Sequence, residues 1–355
     1  MIIVDAHLDL AHNALKYGRD PRLSLEALRA REEPDKERGV ATVSLGALRA
    51  GGVRIIFGTL FTAPLATALR FGSDARLTYR TPDEAHRVAL AQLDYYRRLA
   101  DEASSDVRLV TDRTSLAEVV EVAEGERPLL GIVPLMEGAD PIREPAELEA
   151  WVARGLRAIG LAWDDTRYAS GAWRGARTGL TAAGRVLLEA MAEHNLMLDL
   201  THMSEIAALE ALDRYPGPIV ATHSNARALV PSERQASDAQ IVGIGERGGV
   251  VGVVLYNAFL RAGYVKGDPK ARVTLDHVAA HVDHICQLLG SADHVGIGSD
   301  FDGGFGAEDI PLELDSAADL PRLGDRLRAY GYAPADVAKI MGGNWLRVLR
   351  GALPG

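Results

Sequence analysis

Short runs of Val, Ile and Leu punctuate the chain at 2–4, 53–61, 129–136, 156–163, 196–201, 219–222, 249–256 and 294–299. Each is continuously apolar and does not alternate with polar residues, as expected of parallel strands buried on both faces. Between them the apolar spacing turns helical. Thr81-Pro82-Asp83-Glu84 carries the start signals of a helix: an N-cap, a Pro at the first position and acids in the first turn. Its apolar positions run through Val88, Leu90, Leu93 and Tyr96 to Leu99. Further helical stretches cover 145–153, 181–194, 204–213, 237–247, 274–289 and 333–350. Residues 101–128 form an excursion, in which VRLV predicts a short strand and SLAEVVEVAE a helix. Eight strand–helix units of roughly 44 residues predict an α/β fold, a (β/α)8 TIM-type barrel, with a doubly wound open sheet as the structural rival. No internal repeat or linker divides the chain, so 1–355 is expected to be a single domain.

Composition removes several function classes. Against 39 Lys and Arg stand 49 Asp and Glu, a formal charge of −10, and sequence-independent nucleic-acid binding needs the opposite balance. Cys286 is the one cysteine, which excludes an intramolecular disulfide and a Cys-based zinc cluster. No run of 18 apolar residues predicts a membrane span. Neither MIIVDAHLDL nor LRGALPG has the pattern of a targeting or anchoring segment. The expected location is cytoplasmic.

In a barrel the chemistry sits at the C-terminal ends of the strands. Polar residues collect there: His7 and Asp9 after the first run, Glu137 after the third, His202 after the fifth, His223 after the sixth, Tyr256 after the seventh and Asp300 and Asp302 after the eighth. Three imidazoles and several carboxylates at one rim make a metal-site inventory. His7 and Asp9, two apart on a strand, would share a face. Glu137 follows a fully apolar strand, so its carboxylate at a buried mouth needs a cation or donors. Asp302, before Gly303-Gly304, reads as a turn former.

Other motifs carry less. Gly243-Ile-Gly245-Glu-Arg-Gly248 matches GxGxxG but precedes a strand, against the dinucleotide context. His277, His281 and His284 share one helix face flanked by Asp276 and Asp283, which predicts a solvated face. His12 and Asn13 read as loop or first-turn residues.

The ligand order resembles the amidohydrolase superfamily. Many of its two-metal members bridge the ions with a carboxylated Lys after the fourth strand, yet this chain has no Lys between Lys36 and Lys266. Glu137 is then the well-placed bridge. That combination resembles the membrane (renal) dipeptidase family. The resemblance is carried by Asp5-Ala-His7-Leu-Asp9-Leu, Met136-Glu137-Gly138, Asp199-Leu-Thr-His202-Met-Ser204, Thr222-His223-Ser-Asn-Ala-Arg227, Arg234-Gln235, Gly298-Ser-Asp300-Phe-Asp302-Gly303 and Met341-Gly-Gly-Asn344-Trp-Leu-Arg347-Val.

The resemblance implies two zinc ions, with other divalent metals as substitutes. His7 and Asp9 would hold one, His202 and His223 the other, and Glu137 would bridge them. A hydroxide between the ions would be the nucleophile and Asp300 the proton shuttle. Arg234, eleven residues after His223, would bind the substrate carboxylate, with Tyr256 nearby. The expected reaction is hydrolysis of the amide bond of dipeptides or similar small N-acyl amino acids. The expected partner is that small-molecule substrate, with no nucleic acid and no membrane, and a homodimer is the assembly to consider. One position departs. Where the family places a His after the fourth strand to polarise the scissile carbonyl, this chain has Trp163, whose indole N–H donates but carries no charge. Arg167, Arg174 and Arg177 are candidate substitutes. Two rival readings follow: a hydrolase of another small amide or ester suited to Trp163, and a binding protein that keeps the metals without catalysis.

Overall fold

The computed structural model describes residues 1–32, 38–70, 75–121, 127–172 and 177–355. Eight parallel strands form its centre: β1 Ile3–Leu8, β2 Val53–Phe61, β3 Leu130–Glu137, β4 Ala158–Gly160, β5 Met197–Asp199, β6 Ile219–Val220, β7 Val251–Val253 and β8 Val295–Ile297. They pair in chain order, β8 pairs with β1, and an Ala221–Val251 bridge joins β6 to β7. The sheet is therefore a closed (β/α)8 barrel and the open-sheet rival is excluded. In the excursion Val107–Leu109 pairs beside the first half of β3 and a helix runs over Arg113–Val120, while residues 122–124 of the predicted helix lie outside the described residues.

The strands of the second half are shorter than their apolar runs, for a reason visible in the side chains. Asp199 Oδ1 accepts the backbone N–H of Thr201 at 3.0 Å and of Thr222 at 2.9 Å. Asp5 Oδ1 accepts Ser299 N–H at 2.8 Å. Carboxylates thus replace ladder carbonyls, and regular pairing ends below the rim. The runs continue as loops that carry His202, His223 and Asp300.

Two buried layers follow from strand alternation. Val4, Ile55, Phe57, Val133, Leu135, Ala158, Met197 and Val220 pack together inside the barrel. Trp345 closes the end remote from the site, packing tilted against Phe57 at 5.4 Å and donating its indole N–H to Ile297 O at 3.0 Å. Gly252 and Gly298 are required here, because a Cβ on either would sit 2.0 or 1.8 Å from Thr222 O. The intervening residues Ile56, Leu60, Ile132, Met136, Ile159 and Leu198 face the helices. The predicted helix 333–350 is broken into Pro334–Ala338, a wider turn at Lys339–Gly343 and Asn344–Ala352. Among the described residues no helix is long and apolar enough to cross a membrane.

The His277/His281/His284 face is not solvated as a whole. His281 is fully buried; its Nδ1 accepts Ala226 N–H at 3.1 Å and its Nε2 reaches Leu260 O at 3.3 Å. Its apolar neighbours on the helix Leu275–Leu289 outweigh the two flanking acids. His284 pairs with Asp238 at 2.8 Å, so these histidines serve packing and pairing. His12 and Asn13 lie in the helix Leu10–Tyr17.

Candidate active site

The side chains at the mouth converge. Glu137, the last residue of β3, is buried, and its two oxygens face different partners. Oε1 lies 3.1 Å from His202 Nε2 and 3.5 Å from His223 Nε2, whereas Oε2 lies 3.5 Å from His7 Nε2. His202 and His223 bring their Nε2 atoms within 3.0 Å of each other. His7 Nε2 is 4.0 Å from Asp300 Oδ1. Ligand atoms of His7, Glu137 and His223 all fall within 4.8 Å of one another, as do those of His7, Asp9 and Asp300.

The pairing of His7 with Asp9 has a different origin from the expected pleat. Asp5 stands opposite Ile56 and Leu8 opposite Gly58, so three steps of β1 match two of β2. An extra residue of this kind bends a strand and re-aims its side chains, and it turns His7 to the mouth. Asp9 lies beyond the strand, at the N-cap of Leu10–Tyr17, where the Thr59 hydroxyl bonds its Oδ1.

The ring tautomers follow from Thr222, whose role no sequence pattern announces. Its hydroxyl lies 2.5 Å from Asp199 Oδ2, 2.9 Å from His223 Nδ1 and 3.3 Å from His7 Nδ1. A hydroxyl has one proton. The Asp199 carboxylate takes it, so Thr222 accepts from Nδ1–H and the Nε2 lone pair of His223 is left facing the centre. Outer partners of this kind orient metal-binding imidazoles. Thr59, Asp199 and Asp5 were likewise unassigned; their signal was a polar residue inside or beside an apolar run.

The electrostatics favour a cation. Burial opposes protonation of His7, yet the Glu137, Asp300 and Asp9 carboxylates push it up to about 9. Burial would raise Glu137, yet His7 and His202 hold it well below the usual range. Burial, together with Glu137, raises Asp9 to about 6. Burial also pushes Asp300 well above the ordinary carboxylate range, helped by Asp9 and Glu137 and resisted by His7. Burial and the Arg234 guanidinium lower His202 to about 3. Imidazole lone pairs and crowded carboxylates aimed at one point fit divalent ions that take N and O ligands.

Arg234 is buried, with Nη2 donating to His223 O at 3.0 Å and its guanidinium 5.1 Å over the Phe259 ring. Phe259 meets Tyr256 at 5.1 Å, and Tyr256 stacks on Phe305 at 4.5 Å. Trp163 is half-buried, 6.3 Å from the His202 ring and 4.9 Å from Phe61. Asp302 does form a turn, and it also clamps Thr42 through N–H at 2.8 Å and hydroxyl at 2.7 Å. Arg167 is committed to Ile142 O at 2.5 Å and Arg143 O at 3.0 Å. Arg174 lies outside the described residues, and Arg177 is exposed with φ 53.

A family model for membrane dipeptidase, peptidase family M19, matches residues 1–353. The chain belongs to this family. Membership makes it a metal-dependent dipeptidase. A Klebsiella pneumoniae protein, described only by its position in the 5′ region of pqqA, is 36% identical over 277 residues, 76% of this chain and 97% of that protein. The crystal structure of a metallopeptidase named dipeptidase AC superposes with a TM-score of 0.81 at 26% identity, covering 100% of this chain and 99% of that one. A Rhodobacter sphaeroides metallopeptidase, solved with a phosphinate mimic of the dipeptide L-Ala-D-Ala, matches with TM-score 0.81 and 26% identity over 99% of each chain.

Proposed function

We propose that the chain hydrolyses the amide bond of dipeptides and similar small N-acyl amino acids at a pair of zinc ions bridged by Glu137, with residues 1–355 working as one catalytic unit. The observation that carries this reading is the division of Glu137, with Oε1 turned to His202 and His223 and Oε2 to His7. His7 and Asp9 would hold one ion and His202 and His223 the other, with Glu137 between them; other divalent metals suit the same donors. When bound, the ions supply the charge that acidifies a water and polarises the scissile carbonyl.

The chain's own groups do the rest. Asp300, beside His7 and raised in pKa, takes the proton of the attacking water and hands it to the leaving amine. Arg234 receives the substrate carboxylate by a bidentate pair, backed by Phe259 and Tyr256. The phosphinate dipeptide mimic bound by the Rhodobacter sphaeroides relative supports a substrate of this size.

Metal analysis tests the bridge. The purified protein should hold two divalent ions per chain and cleave dipeptides, and Glu137→Ala should lose occupancy at both positions. Two ions retained with unchanged affinity would remove Glu137 as the bridge.

A further inference from the structure

The barrel places two different surfaces on opposite sides of the metal-ligand cluster. Arg234 and Tyr256 follow β6 and β7. Phe61 ends β2 and Trp163 follows β4, across the ring of eight strands. Phe61 and Gly160 both pair with Glu137, from its two sides. Phe61 and Trp163 therefore flank the carboxylate at the centre, their rings edge to face at 72° and 4.9 Å. His12, itself buried, packs against Phe61 at 5.0 Å. Both Phe61 and Trp163 are half-buried. Gly138, with φ 77, lets the chain turn there, and a Cβ on it would lie 3.7 Å from the Trp163 Cβ.

The acids nearest in sequence are already engaged. Asp164 accepts the Thr67 hydroxyl at 2.6 Å, and Asp140 accepts Tyr79 OH at 2.6 Å and Arg167 N–H at 3.0 Å. The wall thus presents aromatic carbon to the mouth, with the neighbouring carboxylates occupied.

A dipeptide has one direction in such a site. With its carboxylate at Arg234 and its amide over the His7, Glu137 and His202 cluster, its acyl residue must extend toward β2 and β4. We infer that Phe61 and Trp163 form the acyl-side subsite and select apolar or aromatic side chains there over charged ones. This rests on the dipeptidase reading and on Arg234 as the carboxylate anchor. Hydrophobic pockets discriminate by about 10–200-fold, and desolvating a charged side chain against aromatic carbon is unfavourable.

The test uses the metal-loaded full chain with two matched dipeptide series, X-Ala and Ala-X, where X is Gly, Leu, Phe, Asp or Lys. In the X-Ala series kcat/KM should rise by about 10-fold or more from Gly to Leu and Phe and fall for Asp and Lys. The Ala-X series should vary much less. Trp163→Ala and Phe61→Ala should each shrink the Leu-to-Gly ratio in the X-Ala series, and Trp163→Phe should keep it. A wild-type enzyme whose preference is absent or lies in the Ala-X series overturns the subsite while leaving the dipeptidase reading intact. Failure to cleave either series overturns both.

Discussion

Thr222 offers a sharp test of how the imidazoles are held. Thr222→Val keeps the β-branched shape and removes one hydroxyl. That hydroxyl makes three contacts, at 2.5 Å to Asp199, 2.9 Å to His223 and 3.3 Å to His7. Without it, Asp199 Oδ2 loses a buried donor and both Nδ1 atoms lose their common acceptor. Asp199 Oδ1 keeps the backbone bonds from Thr201 and Thr222, so the strand ends should survive. Removing an outer partner of a metal-bound His typically costs 10–100-fold in metal affinity or activity, which is about 1.4–2.7 kcal/mol. Because one atom serves two rings, the upper half of that range is expected. Competition with a chelator measures affinity directly, and thermal melting of the metal-free variant reports any general loss of stability. Thr222→Ser restores the hydroxyl and should recover most of the affinity. Wild-type metal affinity in the Val variant, with the fold intact, would refute the role assigned to this hydroxyl.

Two further substitutions probe the chemistry. Asp300→Asn keeps the shape but cannot accept a proton, so kcat should fall by ~10²–10⁴-fold with two metals still bound; near wild-type kcat would end its assignment as the shuttle. Arg234→Lys loses the planar fork and should lower kcat/KM for free-acid dipeptides more than for their C-terminal amides; equal losses would mean that Arg234 does not read the carboxylate.

The clustering of the candidate ligands was legible because strand ends are. An apolar run that closes on His, Asp or Glu places that side chain at a barrel mouth, and such endings on five different strands leave few other arrangements. His7, Asp9, Glu137, His202, His223 and Asp300 are all found together for that reason. What joins them was less legible. The bulge that turns His7 inward depends on the pairing of β1 with β2, and no local pattern in a hydrophobic strand announces it. Thr222 and Asp199 read as ordinary strand-end residues, because hydrogen-bond roles are assigned by neighbours 23 positions apart. The His281 face was misread as solvated since charged flanking residues say little about the groove a helix packs into. Trp345, by contrast, sits in a motif that gives no hint of its depth, and its place as the plug of the barrel follows from three-dimensional closure.

The mouth is held together against its own charge. Asp300 and Asp302 both adopt left-handed backbone conformations, φ 59 and φ 63, as does His202 at φ 67. Such residues cost roughly 1–3 kcal/mol each and persist only where their surroundings over-determine them. The surroundings here are specific. Asp302 is clamped by Thr42, Val43 and Arg19, and its carbonyl accepts Asn13 Nδ2–H at 3.1 Å. Asn13 also bonds Asp9 O at 3.0 Å. The loop of Asp300 is therefore tied to the helix that begins at Asp9, and the two carboxylates are kept near His7 whether or not they repel. Burial first, and repulsion from Asp9 and Glu137 after it, are what raise Asp300. Its folded-state pKa lies above the unfolded value, so its protonated form favours folding; that contribution is present at acid pH and is lost as pH rises and the carboxyl ionises. Metal-free Asp300→Asn should accordingly melt higher than metal-free wild type at pH 7, and the gap should close as pH falls toward the ordinary carboxylate range. Adding zinc should stabilise wild type more than the variant, because a bound cation relieves the repulsion that Asn has already removed. Melting curves of both proteins, with and without metal across that pH range, decide it. Equal melting temperatures at pH 7, or a gap that does not change with pH, would show that Asp300 is carried without strain and that the clamp through Asp302 has another purpose.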